Sequence, residues 1–78
     1  MLRSRSVRYP QLEIWVIYFN PCDYPDKFVL RRWQGMTPDA TPACVGELIG
    51  TVQKCLPAGL ILMAPNQNDD ATIVEVWI

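Results

Sequence analysis

The sequence predicts an α+β fold of order ββαββ: a four-stranded, mainly antiparallel sheet with one helix packed on one face. Three observations lead there. Residues 11–20 and 27–33 are runs of β-branched and aromatic residues separated by a proline- and aspartate-rich turn. Residues 41–56 place apolar side chains at helical spacing. Two further apolar runs, 60–64 and 72–78, end the chain. One helix between two hairpins covers one side of a sheet, which is an α+β arrangement and not the alternating pattern of a parallel sheet.

Each element has its own signal. Gln11-Leu-Glu-Ile-Trp-Val-Ile-Tyr-Phe-Asn20 is strand-like and closes at Asn20-Pro21. In residues 21–26 two prolines preset φ and two aspartates accept main-chain N–H groups, so the chain reverses there in a loop longer than a tight hairpin. Lys27-Phe-Val-Leu-Arg-Arg-Trp33 is the second strand. Residues 34–40 read as a loop leading to the helix, whose start is marked by Thr41 as N-cap and Pro42 at the first helical position. Val45, Leu48, Ile49, Val52 and Leu56 then form one apolar stripe, with Glu47 and Lys54 pointing away. Pro57-Ala-Gly59 stops the helix. Leu60-Ile-Leu-Met-Ala64 and Thr72-Ile-Val-Glu-Val-Trp-Ile78 make a second hairpin across the polar loop 65–70.

Strand alternation sorts side chains between the two faces. Leu12, Ile14, Val16 and Tyr18 share one side and Glu13, Trp15, Ile17 and Phe19 the other; Phe28 and Leu30 oppose Val29, Arg31 and Trp33; Val74, Val76 and Ile78 oppose Ile73, Glu75 and Trp77. A charge aimed into the helix–sheet core is costly, so Glu13, Arg31 and Glu75 place their faces away from the helix. Arg32 then belongs at the rim, its stem on apolar surface and its head in water. On this reading Trp15, Ile17, Phe19, Val29, Arg31, Trp33, Ile73, Glu75 and Trp77 form one helix-free aromatic face, and an apolar patch of that kind marks an interaction surface.

Length and composition narrow the function. With 78 residues the chain holds one core, expected over residues 11–78, preceded by a basic arm at 1–10. Such a core contributes only about 3–5 kcal/mol net, so small domains add a disulfide, a metal or a second copy. The three cysteines, Cys22, Cys44 and Cys55, are odd in number and without framework spacing. On a continuous helix Cys44 and Cys55 would stand about 16 Å apart, too far to bridge, so three reduced thiols acting as small buried hydrophobes are expected. The absence of histidine removes Ser-His-Asp, Cys-His and His-containing zinc sites. No metal and no cofactor is expected. The basic start runs into Tyr9-Pro10 and not into an apolar leader, and no apolar run is long enough for a membrane span, which predicts a cytoplasmic protein.

Net charge is −1, but three of the seven basic residues are Arg3, Arg5 and Arg8, leaving four against eight acidic residues in the rest of the chain. That acidic body disfavours duplex binding. The arm is expected to pack on its own body or on a neighbouring chain. Other motifs carry less. Gly46 and Gly50 suggest a close approach along one helix flank. Asp23 with Asp26, and Asp69 with Asp70, near Arg31 and Arg32, read as turn and capping aspartates before they read as acid–base or metal groups.

The string Ile-Tyr-Phe-Asn-Pro-Cys-Asp-Tyr-Pro-Asp-Lys-Phe-Val-Leu-Arg-Arg-Trp (17–33), with Pro57-Ala-Gly-Leu60 and the ending Asp-Asp-Ala-Thr-Ile-Val-Glu-Val-Trp-Ile, resembles short bacterial proteins of mobile-element and integron-cassette contexts. That group carries no assigned activity, so the resemblance transfers no functional residue. The expected function is a small, non-enzymatic, oligomeric binding or adaptor module, with self-association into a homodimer through the aromatic face. The rival is a single-strand nucleic-acid binder stacking bases on Trp33 or Trp77 beside Arg31, and a small-ligand enzyme comes third.

Overall fold

The computed structural model describes residues 12–64 and 70–78; the basic arm and Asp69 lie outside them. Its elements are β1 (Glu13–Phe19), β2 (Phe28–Gln34), β3 (Thr37–Pro38), β4 (Cys44–Gly46), α1 (Ile49–Gln53), β5 (Leu62–Met63) and β6 (Ile73–Trp77). Among the described residues the fold is α+β, with an antiparallel sheet and one short helix. The sheet is wider than the four strands expected and the order is not ββαββ, because two additional short strands precede the helix.

β1 lies at the centre, with β2 on one side and β6 on the other, in the order β3-β2-β1-β6-β5. β1 and β2 pair through Trp15↔Arg32, Ile17↔Leu30 and Phe19↔Phe28. Their connection is the expected longer loop, closed at its mouth by Asn20. The Asn20 N–H donates to the Lys27 carbonyl at 2.8 Å, and its side-chain oxygen accepts the Asp26 N–H at 2.8 Å. Asn20 and Asp26 both have positive φ, 58° and 60°, a conformation that short polar side chains tolerate better than most.

Beyond β2 the structure departs from expectation. Gly35 and Met36 form a two-residue turn, with Gly35 at φ 61°, and the chain folds straight back as β3, pairing Trp33↔Pro38 and Gln34↔Thr37. After a break at residues 39–43 it resumes along the same edge as β4, pairing Leu30↔Cys44, Val29↔Val45 and Phe28↔Gly46. Thr41 and Pro42 therefore do not begin a helix. The physical reason is non-local: β2 would otherwise present a row of unpaired main-chain groups, and residues 37–46 satisfy them.

The helix is confined to Ile49–Gln53, with Leu48 as its N-cap residue and no side-chain cap. Val52 is fully buried against Ile17 and Leu30, with Trp15, Phe28, Cys44, Ile49 and Leu56 packed around them. Of the predicted stripe, Ile49, Val52 and Leu56 face this core. Val45 sits on β4, and Leu48 is 70% exposed. A Cβ on Gly46 would stand 3.0 Å from Thr51 Cγ2, a close approach of β4 to the helix, whereas one on Gly50 would meet nothing within 4 Å. The two glycines lie on different elements and form no shared flank. Gly59, at φ 87°, turns the chain after Pro57 as expected.

The last hairpin forms as predicted. Leu62 pairs with Trp77 and Met63 with Val76, and Ile61 and Ile78 exchange main-chain bonds of 2.7 and 3.0 Å. Trp77 is thus paired on both sides, to Leu62 and to Trp15. Among the described residues no helix is long and apolar enough to cross a membrane.

Register corrects the assignment of faces. Ile17 lies opposite Leu30, whose side the helix covers, so Trp15, Ile17 and Phe19 point toward the helix, as do Glu75 and Trp77 through Ile17↔Glu75 and Trp15↔Trp77. Val29, Arg31 and Trp33 point the other way. An irregularity between Ile17 and Tyr18 sets Ile73 opposite Tyr18 and so on that second face. The expected single face is two faces.

Glu75 shows why the charge rule failed. Its carboxylate faces the helix but accepts Gln53 Nε2 at 3.0 Å on both oxygens and Trp77 Nε1 at 2.9 Å. Glu13 meets Arg32 at 3.6 Å and the Trp15 indole at 3.3 Å. A helix of five residues leaves the margins of its face open to such pairs, so charges there cost little. Arg32 lies at the rim as expected, half-exposed.

Candidate functional site

Of the nine residues expected on one surface, the fold keeps Val29, Arg31, Trp33 and Ile73 on the helix-free face. It turns Trp15, Ile17, Phe19, Glu75 and Trp77 toward the helix. Ile17 and Val29 are buried within the chain itself, so neither offers contact area to a partner.

The helix-free face holds an open cleft of about 360 Å³. Its floor and one wall are Val29, Tyr18 and Trp33, brought side by side by the β1–β2 register, in which Tyr18 lies opposite Val29 and Trp33 opposite Ile14. The Trp33 indole N–H donates to the Tyr18 hydroxyl at 3.0 Å, fixing two aromatic side chains relative to one another. Pro38, carried back by the tight turn, lies opposite Trp33 and completes that wall. Pro21, Cys22 and Asp23 from the β1–β2 loop, with Asp70 and Thr72 ahead of β6, form the rest of the rim.

Arg31 reaches across the cleft and is tethered. Its Nη1 donates to the main-chain carbonyls of Asp39 at 2.6 Å and Ala40 at 3.0 Å, and its Nη2 stands 3.5 Å from the Asp23 carboxylate. These carbonyls lie in the break between β3 and β4, where among the described residues no strand pairs with them, so Arg31 supplies the bonds that the described sheet does not. Asp70 is held as well, accepting the Thr72 N–H at 2.9 Å and the Thr72 hydroxyl at 2.8 Å on one oxygen. Those two bonds, that from the main-chain N–H foremost, hold its carboxyl below the usual carboxylate range. The cleft therefore offers an aromatic wall fixed by a hydrogen bond, with the carboxyl groups of Asp23 and Asp70 on its rim and its guanidinium already engaged.

A second hollow, of about 330 Å³, lies on the helix side between Trp77 and the segment after the helix, lined by Gln53, Leu56, Pro57, Gly59 and Leu60. Two of its lining residues, Gln53 and Trp77, donate their side-chain N–H groups to the Glu75 carboxylate. Among the described residues no cluster of three or more metal-ligating side chains occurs. No family model, curated protein or solved structure matches the chain.

Cysteine placement also differs from expectation. Cys22 and Cys55 are exposed. Cys44, on β4, and Cys55, just past the helix, bring their sulfurs to 2.8 Å because the chain reverses between them. The 16 Å separation belonged to a helix that does not form. The partnership of Tyr18 with Trp33 was missed as well. Its signal lay in the alternation itself: with β1 inverted, Tyr18 and Trp33 share a face.

Proposed function

We propose that this chain is a small, non-enzymatic binding module that uses the Trp33–Tyr18 cleft to hold a basic segment of a partner protein. The observation that carries the reading is the fixed aromatic wall set beneath Asp23 and Asp70 on the face without a helix. Aromatic faces attract cations lying over them, and neighbouring carboxylates add to that attraction. A lysine or arginine side chain can lay its methylenes on Trp33 and its charge toward the rim.

The charge distribution weighs against single-strand nucleic acid. A strand-binding groove needs cations free to track phosphates. Of the four described basic residues, Lys27 is paired with Glu47, Arg31 with Asp23, and Arg32 with Glu13 and Asp39, which leaves Lys54, alone at the C-cap of α1, as the single described cation outside an ion pair.

Titrating the protein with an unstructured lysine-rich peptide, an acidic peptide of equal length and an oligothymidylate tests the reading. The lysine-rich peptide is expected to quench tryptophan emission at low salt, and Trp33→Ala is expected to abolish that response while Trp77→Phe retains it. Binding of the oligothymidylate alone, or quenching that survives Trp33→Ala, overturns it.

Self-association remains as a second reading, on a different surface. Trp15 and Trp77 face the helix, so a dimer on all three tryptophans is no longer the geometry to propose. β5 is an edge strand whose Ile61, Leu62 and Met63 neighbourhood is 67%, 51% and 44% exposed, respectively. Such edges template pairing with a second strand. Sedimentation that gives dimers for the wild type and monomers for Leu62→Lys supports this reading, and a wild-type monomer at high micromolar concentration removes it.

A further inference from the structure

Cys44 and Cys55 are brought together by non-local structure. Cys44 is held on the sheet by β4 pairing opposite Leu30, and packs against the Ile17, Leu30 and Val52 cluster. Cys55 follows the helix, where its N–H donates to the Val52 carbonyl at 3.0 Å. Both anchors are main-chain hydrogen bonds, so the sulfurs meet through the fold and not through a chance rotamer of a mobile loop. Their separation of 2.8 Å leaves less than about 1 Å to close to reach a covalent S–S bond of about 2.05 Å.

The two sulfurs differ in access. Cys55 is exposed, whereas Cys44 is half-buried. The hydrogen bond shared with Cys55, and then its burial, hold the Cys44 thiol above its ordinary range. Cys22 opens on the other side of the sheet, in the cleft beside Trp33, away from this pair. An exposed thiol backed by a second one at contact distance is the arrangement of an attacking and a resolving cysteine.

We propose that Cys44 and Cys55 form a dithiol–disulfide exchange site that takes low-molecular-weight disulfides of the glutathione class. Cys55 loses its proton to solvent and its sulfur attacks one sulfur of the small disulfide. A Cys55 mixed disulfide forms, and the first small thiolate leaves and is protonated. Cys44 then gives up its proton, and its sulfur attacks Cys55 Sγ. The mixed S–S bond breaks, the Cys44–Cys55 bond forms, and the second small thiolate leaves and is protonated. The protein dithiol has lost two electrons and two protons, and one small disulfide has become two thiols. The product ties the end of α1 to β4, a reversible clip across the helix–sheet core.

The test uses the full chain, reduced, freed of reductant and exposed to excess oxidised glutathione. A peptide map is expected to link Cys44 to Cys55, with Cys22, exposed and on the other face of the sheet, outside that link as a thiol or as a glutathione adduct. The thermal midpoint is expected to rise by roughly 8–15 °C through closure of the short loop, and reduced glutathione should reverse both changes. Cys44→Ser should stop at a glutathione adduct on Cys55. The wild-type peptide map needs no variant to fold, so the proposal stays open to refutation if Cys44→Ser does not. Three thiols persisting, a stable adduct on wild-type Cys55, or a link involving Cys22 overturns it.

Discussion

Arg31 donates to the main-chain carbonyl of Asp39 at 2.6 Å from one face of the sheet, while its neighbour Arg32 reaches the Asp39 carboxylate at 2.9 Å from the other. Successive strand residues point to opposite faces, so two adjacent arginines grip one residue from both sides. They do so where the edge segment breaks between β3 and β4. Removing Arg31 leaves the Asp39 and Ala40 carbonyls without that donor, whereas removing the Asp39 carboxylate breaks one partly solvated ion pair. In urea unfolding Arg31→Met should therefore cost about 1.5–3 kcal/mol and Asp39→Asn no more than about 1 kcal/mol. Equal losses would show that the guanidinium does not hold the break.

The helix stripe offers a sharper comparison. Val52 is fully buried in contact with Ile17 and Leu30, and Leu48, its supposed companion, is largely exposed. Val52→Ala should cost about 1–3 kcal/mol, while Leu48→Ala should stay within about 0.5 kcal/mol. A large loss at Leu48 would instead favour the continuous helix from Thr41.

That contrast also marks how far the sequence could be read. The two hairpins were legible because Asn20-Pro21 and the alternating runs act locally. Gly59 was legible because a chain leaving a helix needs a left-handed residue. The segment 41–48 was not, because Thr41-Pro42 is a sound local start signal and Val45, Leu48 and Ile49 fit both a helix and a strand that turns into one. What decides it is the bare edge of β2, a partner remote in sequence. The faces were obscured because β1 is apolar on both sides, Ile14, Val16 and Tyr18 against Trp15, Ile17 and Phe19, so only charges could break the tie. Glu75 then misled, since Gln53 and Trp77 satisfy it on the helix side. Of the candidate site, Val29, Arg31 and Trp33 were found and Tyr18 and Asp70 were not assigned to it.

Two glycines should respond with opposite sign. Gly50 lies within α1 with open space where a Cβ would go, so Gly50→Ala should stabilise by about 0.5–1 kcal/mol through helix propensity. Gly59 has equally open space but a φ of 87°, so Gly59→Ala should destabilise by about 1–2 kcal/mol through backbone strain alone. Thermal melts of both variants check the pair, and a stabilising Gly59→Ala would contradict the turn.

Acid should weaken the fold through two surface carboxylates. Asp70 is held below its ordinary value by the Thr72 N–H and hydroxyl, and Glu47 by its 2.8 Å hydrogen bond and ion pair with Lys27. A carboxylate whose folded value is lowered contributes stability above its unfolded value, about pH 4, and that contribution fades as pH falls through the folded value. With no histidine in the chain, no side chain of that type titrates between pH 5 and 7, so stability should be flat there and should fall only below about pH 4. Thr72→Val removes the hydroxyl donor to Asp70, and Lys27→Met removes the partner of Glu47. Both carboxylates are exposed, so each effect is small, but the two substitutions together should flatten the loss of stability between pH 5 and 2 in urea titrations at low salt. High salt should flatten the wild-type profile too, chiefly through the Lys27–Glu47 pair. An acid profile that the double variant leaves unchanged would assign the acid sensitivity to other carboxylates.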